Sequence, residues 1–357
     1  MRNEHRGGGH PEAIRMTDVH SADKIVNGIG APRGNGGANR GRKYSRAPVG
    51  EDAARGFAEA VMAALDAAGV PERSSKFSNH VYSDRQKLAV LVFMAWCGIG
   101  YGTVRSVLGM YRGFVDGIGL DRIPDGSTLC KFLKRIGKGA LEKVVRAFGL
   151  AADGGATVAV DSTGLSDFDR SAHYEKRLDD FGAVRGRSFT KLSLAMDTDT
   201  RIVLSASASA DGHRNDTTFM PAHVADLAES GVKVDWLIAD KAYDSSANHR
   251  LVGSVLGART AIPVRRGRGC RGTTIHGPHR RMMAEAMSDP DSAESQAYKR
   301  RAVVESTNFM IKKAAGPSVS ARIPASRERQ ALLKAVVFNV LRVIKLGRIG
   351  RLKRGFQ

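Results

Sequence analysis

Apolar residues recur at helical spacing through AARGFAEAVMAALDAAGV (53–70). They do so again through SDRQKLAVLVFMAWCG (83–98), where Ser83 or Asp84 is the expected cap. GYGTVRSVLGMYRGF follows a Gly-rich turn, and PDGSTLCKFLKRIGKGALEKVVRAF opens on a turn with Ser127 as its expected cap. From about residue 156 the period changes. TVAVD is a short apolar strand ending in an acid, and SFTKLSLAMDTDT with RIVLSASASA reads as a hairpin turning near Asp199. A helix over 217–231 follows, capped by Asn215 or Asp216. Then come a buried strand, KVDWLIAD, a helix over 245–257 and a strand, RTAIPV. Strands first, then alternation with helices, predict a mixed α/β sheet. Near the end, Leu332, Leu333, Val336, Val337, Val340, Leu341 and Ile344 form an apolar stripe that reads as core packing.

Composition sets the partner class. A formal charge of +20 over 357 residues draws the chain towards polyanions, nucleic acid before an anionic membrane surface. The longest apolar run, near LAVLVFMAWCGIG, is too short to cross a bilayer, and residues 1–30 carry no signal peptide. A cytoplasmic, nucleoid-associated protein is the expectation. Residues 1–50 are rich in Gly, Arg and Asn and predict a disordered basic tail. Residues 265–281 hold six Arg and no acid and read as a loop that tracks a DNA backbone. Cys97, Cys130 and Cys270 are odd in number and far apart, which supports neither a zinc module nor a disulfide framework.

The chemistry concentrates in YKRRAVVESTNFMIKK (298–313). Tyr298, Arg301, Glu305 and Lys312 are separated by two, three and six residues. On one continuous helix they would fall within an arc of about 60°. That face sets one carboxylate among a phenol, a guanidinium and an ammonium. Two further acids end predicted strands, Asp161 in TVAVDSTG and Asp240 in VDWLIADKAYDS.

The four-residue spacing resembles the signature of DDE transposases of bacterial and archaeal insertion sequences, those of the insertion-sequence 4 and 5 groups. Asp161 and Asp240 match the settings of that family's first two acids. The resemblance covers roughly 150–345 and implies a ribonuclease H-like mixed sheet flanked by helices, preceded by a small helical domain. The implied organisation is a tail (1–50), a helical DNA-binding or dimerisation region (51–150), a catalytic domain (151–346) and a basic tail (347–357). It further implies an enzyme that binds the terminal inverted repeats as double-stranded DNA. Such an enzyme cleaves and transfers strands into target DNA and works as a homodimer. Asp161, Asp240 and Glu305 would be both its catalytic residues and its metal ligands, holding Mg²⁺, or Mn²⁺ in its place, as two ions. By the same resemblance Tyr298, Arg301 and Lys312 contact phosphates at the transposon end.

The residue chemistry is consistent with that reading. Cutting a phosphodiester requires stabilising charge on the phosphate and the leaving oxygen, and Mg²⁺ takes hard carboxylate ligands. Each acid also has a plain structural role. Asp161 suits a turn, Asp240 has a rival in Asp244, and Glu305 can pair with Arg301 at i, i+4. Asp244 reads more as a cap for the next helix. Lys131, Lys134 and Arg135 fit either the DNA-facing helix of a helix-turn-helix-like module or the wet face of a bundle. His213 and Asn215 suit a turn and cap, while His173, His276 and His279 lack ligand spacing. The competing functions are a catalytically silent DNA-binding regulator and a ribonuclease H-like nuclease without strand transfer.

Overall fold

The computed structural model describes residues 50–74, 81–153, 156–167, 189–265 and 275–354. Residues 1–49, His173 and most of the Arg-rich segment (266–274, with Cys270) lie outside the described residues. Among those described, no helix is long and apolar enough to cross a membrane.

Among the described residues six helices come first: α1 (Glu51–Ala67), α2 (Asp84–Cys97), α3 (Val104–Met110), α4 (Arg112–Gly117), α5 (Gly126–Arg135) and α6 (Lys138–Ala147). Every residue from Leu88 to Met94 is buried, so α2 has no wet face along that stretch and runs centrally. A reciprocal cap starts it. Gln86 N donates to Ser83 Oγ at 3.0 Å, and Ser83 N donates to Gln86 Oε1 at 2.9 Å. Phe57 stacks on Trp96 with centroids 4.0 Å apart, and Phe93 on Phe114 at 4.2 Å, which ties α1, α2 and α4 together. The cap of α5 is Asp125 rather than Ser127, its carboxylate accepting from Ser127 N at 2.9 Å.

The sheet holds β1 (Ala156–Asp167), β2 (Phe189–Asp197), β3 (Val203–Ser209), β4 (Val234–Ala239), β5 (Arg259–Ala261) and β6 (Ser318–Val319). Its order is β3-β2-β1-β4-β5, with β6 beside the far end of β1. β2 runs antiparallel to both neighbours, while β4 is parallel to β1 and β5 to β4. This is a mixed α/β sheet flanked by helices, as the sequence pattern predicts. The hairpin turns where the alternation predicts, because Asp197 accepts from the backbone of Asp199 at 3.1 Å and Thr200 at 3.2 Å. The parallel strands need crossovers. A 3₁₀ turn (Asp216–Phe219) capped by Asn215 leads into α7 (Met220–Glu229), and α8 (Ser246–Leu256) joins β4 to β5.

Two elements differ from the sequence pattern. β1 continues six residues past Asp161, pairing Ser162 with Ser193 through Ser166 with Phe189. The Ser-Thr-Gly run resembles a turn, yet at Gly164 a Cβ would lie 3.0 Å from the Phe189 ring. The glycine makes room for that ring. In addition, the Arg-rich segment does not stay a loop, since α9 (Pro278–Ala286) begins inside it.

Helices α10 (Ala293–Lys299) and α11 (Ala302–Ala315) lead to α12 (Pro324–Lys345) and a short α13 (Ile349–Arg354). In α12, Leu332, Leu333, Val336, Val337 and Val340 are buried, with Leu341 and Ile344 at the margin. The helix packs on α1, α2, α6, β2 and β3, so one hydrophobic core runs from the leading helices into the sheet. Asn339 fastens it there, donating to Val203 O at 2.7 Å and accepting from Val203 N at 2.8 Å. In α13, Leu352 is buried and Lys353 pairs with Glu59 at 2.6 Å.

Candidate active site

β1 and β4 lie side by side with Val160 opposite Ala239, so Asp161, in the middle of β1, stands level with Asp240, the residue that directly follows β4. From β1 the chain passes to β2 and β3 on one side, while β4 and β5 lie on the other. Such a switch in strand order leaves a crevice beyond the carboxyl ends, where open α/β sheets bind ligands. The unbroken burial of β1 from Ala156 to Val160 ends at Asp161, which is half-buried. Burial pushes its carboxyl above the ordinary value of 3.8. The Ser162 N–H and Arg301 oppose that push, and the charges of Asp240 and Asp216 add to it.

The third acid arrives on α11. The helix packs on β1, and Asn308 Nδ2 donates to Asp161 Oδ2 at 3.0 Å. Glu305, one turn earlier, is exposed. Arg301 sits between two of the acids, 2.9 Å from Glu305 and 3.9 Å from Asp240. Burial lowers the Arg301 pKa and its anionic neighbours raise it, with a net upward shift. Burial likewise lifts the Tyr298 phenol. Among the described residues, no three His, Cys, Asp or Glu side chains are gathered as a metal-holding group. The Arg301 guanidinium places positive charge between Asp240 and Glu305.

The four signature residues do not ride on one helix. Tyr298 is in α10 and Arg301 precedes α11, with a 3₁₀-type turn between, where Arg301 N donates to Tyr298 O at 2.9 Å. Lys312 is half-buried near the end of α11. Burial lowers its pKa, and among the described residues it pairs with no acid. Lys131, Lys134 and Arg135 are exposed on α5, opposite the buried Leu129, Phe132 and Leu133, and no contact joins them to the acids. His213 is exposed, its ring against Phe189.

Asp244 is excluded as a rival ligand by its partners. Its side chain is 0% exposed. It takes two hydrogen bonds from Arg280 Nε at 2.9 and 3.1 Å and one from Arg265 N at 2.8 Å. Nor does it cap α8, whose cap is Ser245.

A polar chain without a local sequence pattern ties the middle of β1 to the turn after β4. Asp226, paired with Arg146 at 2.7 Å, accepts from Ser205 Oγ at 2.6 Å. Ser205 has spent its proton and accepts from His223 Nδ1 at 2.8 Å. His223 Nε2 then accepts from Ser193 at 2.9 Å, Ser193 from Tyr243 at 3.3 Å, and Tyr243 from Ser162 at 2.9 Å. Burial drives His223 down to about 3, so it is neutral with its proton on Nδ1. The chain joins the residue after Asp161 to the turn after Asp240. Its one sequence signal was polar residues inside apolar elements.

Residues 153–340 match the family described as Transposase DDE domain. The chain belongs to the DDE transposase family. No curated protein matches this transposase. A solved structure, the cryo-EM structure of the piggyBac transposase synaptic complex with hairpin DNA, is similar at a TM-score of 0.39 and 11% identity. The alignment covers 84% of this transposase and 76% of that chain. The enzyme is a DDE-type transposase, and such domains generally use divalent metal ions.

Proposed function

We propose that this transposase binds the terminal inverted repeats of an insertion sequence of the insertion-sequence 4 and 5 groups. It then performs metal-dependent strand cleavage and strand transfer at Asp161, Asp240 and Glu305. The observation that carries the reading is the placement of Asp161, midway along β1, level with Asp240 at the end of the parallel neighbour β4, with Glu305 tied to Asp240 through Arg301.

The donor set fits a hard divalent cation. It consists of carboxylate oxygens, with a buried amide oxygen of Asn308 that meets no donor. Asp161, Asp240 and Glu305 would hold Mg²⁺, or Mn²⁺ in its place, as two ions. Bound there, the metal supplies positive charge at the scissile phosphate and acidifies the attacking nucleophile. The remaining work falls to the chain. Arg301, held by acids in the free protein, is placed to grip a phosphate when the cation neutralises those acids. Tyr298 and Lys312 contact the end DNA, and a half-buried Lys312 without an acid partner has an ammonium available for a phosphate. Lys131, Lys134 and Arg135 offer an exposed basic row on α5 for duplex DNA. Cutting and joining both ends of an element calls for two copies of the chain, a homodimer on DNA. The charge of +20 fits an enzyme that spends its time on the nucleoid.

Glu305→Gln tests this. The account expects loss of Mg²⁺-dependent cleavage of an end-containing duplex with binding of that duplex retained. Cleavage at the wild-type rate would remove Glu305 from the site.

A further inference from the structure

Asn308 is the side chain on α11 that touches Asp161 directly. It is 8% exposed, and its amide faces Asp161 with Nδ2 inward at 3.0 Å. The reverse orientation would set an amide oxygen against a carboxylate, so electrostatics fixes the assignment. Its Oδ1, one carbon away, is buried and meets no donor among the described residues. Buried polar atoms are ordinarily satisfied. Asn339, buried in the same core, uses both halves of its amide on Val203. A packing role for Asn308 would therefore leave half its amide unexplained, and asparagine is a poor residue inside a helix.

We propose that Asn308 is a positioning residue of the metal site. Its Nδ2 holds Asp161 in one orientation, and its Oδ1 accepts a hydrogen bond from the hydration water of the bound divalent cation. Mg²⁺ and Mn²⁺ at carboxylate sites keep part of their water, and that water needs acceptors. Residues that orient a ligand in this way affect metal affinity although they do not touch the metal. The inference rests on the reading that Asp161 holds the cation.

The probe is Mn²⁺ added to the full chain without DNA, with free Mn²⁺ read by electron paramagnetic resonance and unfolding followed with and without the metal. Asn308→Ala is expected to weaken Mn²⁺ binding by about tenfold or more while melting in chelator stays at the wild-type value. Asn308→Asp places a second carboxylate against Asp161. It is expected to melt lower in chelator and to gain more than wild type from Mn²⁺, and this arm serves alone if the alanine variant does not fold. Mn²⁺ affinity of Asn308→Ala within about twofold of wild type, against the tenfold expected, overturns the proposal. So does a melting change in both variants that is the same with and without Mn²⁺. Asp161→Asn separates the two levels. If it abolishes Mn²⁺ binding and Asn308→Ala does not weaken it, the Asn308 inference alone falls. If Asp161→Asn binds Mn²⁺ as wild type does, the metal site falls and takes this inference with it.

Discussion

Asp240 and Asp244 are four residues apart and have opposite electrostatic environments. Around Asp244 every negative charge is answered, by two bonds from Arg280, a backbone N–H and a side chain shut off from water. Around Asp161, Asp240 and Glu305 the cationic partner among the described residues is one guanidinium, 3.9 Å from Asp240; Asp240 otherwise accepts from Lys241 N at 2.6 Å and Asp161 from Asn308, and Asp161 is half-buried with its proton affinity raised. The first arrangement is finished by the fold itself. On the proposed reading, a further cation completes the second. Carboxylates left under-compensated at a sheet's switch point mark where the chain does work, and fully paired ones mark where it holds itself together.

The widest separation between the two regions is expected from Asp240→Asn. It should cut Mg²⁺-dependent cleavage by at least about three orders of magnitude, some 4 kcal/mol, and leave the metal-free melting temperature unchanged or higher. Equal losses of activity and stability would erase the distinction. Next comes Arg280→Ala, which strands a buried carboxylate. It should cost about 3 kcal/mol of stability in denaturant unfolding, with activity per folded molecule preserved. A stable Arg280→Ala protein with dead chemistry would invert the assignment.

The polar chain behind the site gives a smaller, pH-dependent effect. His223 refuses in the folded state a proton that the unfolded chain takes up below its ordinary value of 6.5. Stability is therefore lost as pH falls from 6.5 towards about 3, by up to a few kcal/mol. His223→Gln should flatten that slope in melts run across the range, and an unchanged slope would assign the acid sensitivity elsewhere. The smallest effect belongs to Lys312→Ala. Weaker binding of end DNA should come with a salt dependence shallower by about one counterion. An unaltered slope would leave Lys312 without a phosphate.

Much of this was legible from the residues. TVAVD and VDWLIAD are apolar runs that stop at an acid, and the parallel register of β1 and β4, with Val160 opposite Ala239, sets both acids level although β1 runs on. The hairpin at Asp199, the cap at Ser83 and the apolar stripe of α12 follow from local pattern. What the sequence concealed depends on partners distant along the chain. β1 runs on through a Ser-Thr-Gly stretch because β2 pairs with it and Phe189 covers Gly164. The helix expected to carry all four signature residues breaks after Tyr298, so Arg301 stands at a helix start and reaches Asp240 as well as Glu305. Asp244 looked like a cap until Arg280, 36 positions on, was seen to close on it. Asn308 and His223 carried no signal beyond being polar inside apolar elements, since only the tertiary contacts reveal what they face.

A crystal soaked in Mn²⁺ and measured for anomalous scattering addresses the central claim most directly. The account predicts Mn²⁺ held by Asp161 and Asp240, with Glu305 turned in and Arg301 displaced from between them. Mn²⁺ bound elsewhere, with Arg301 still bridging Asp240 and Glu305, would contradict it.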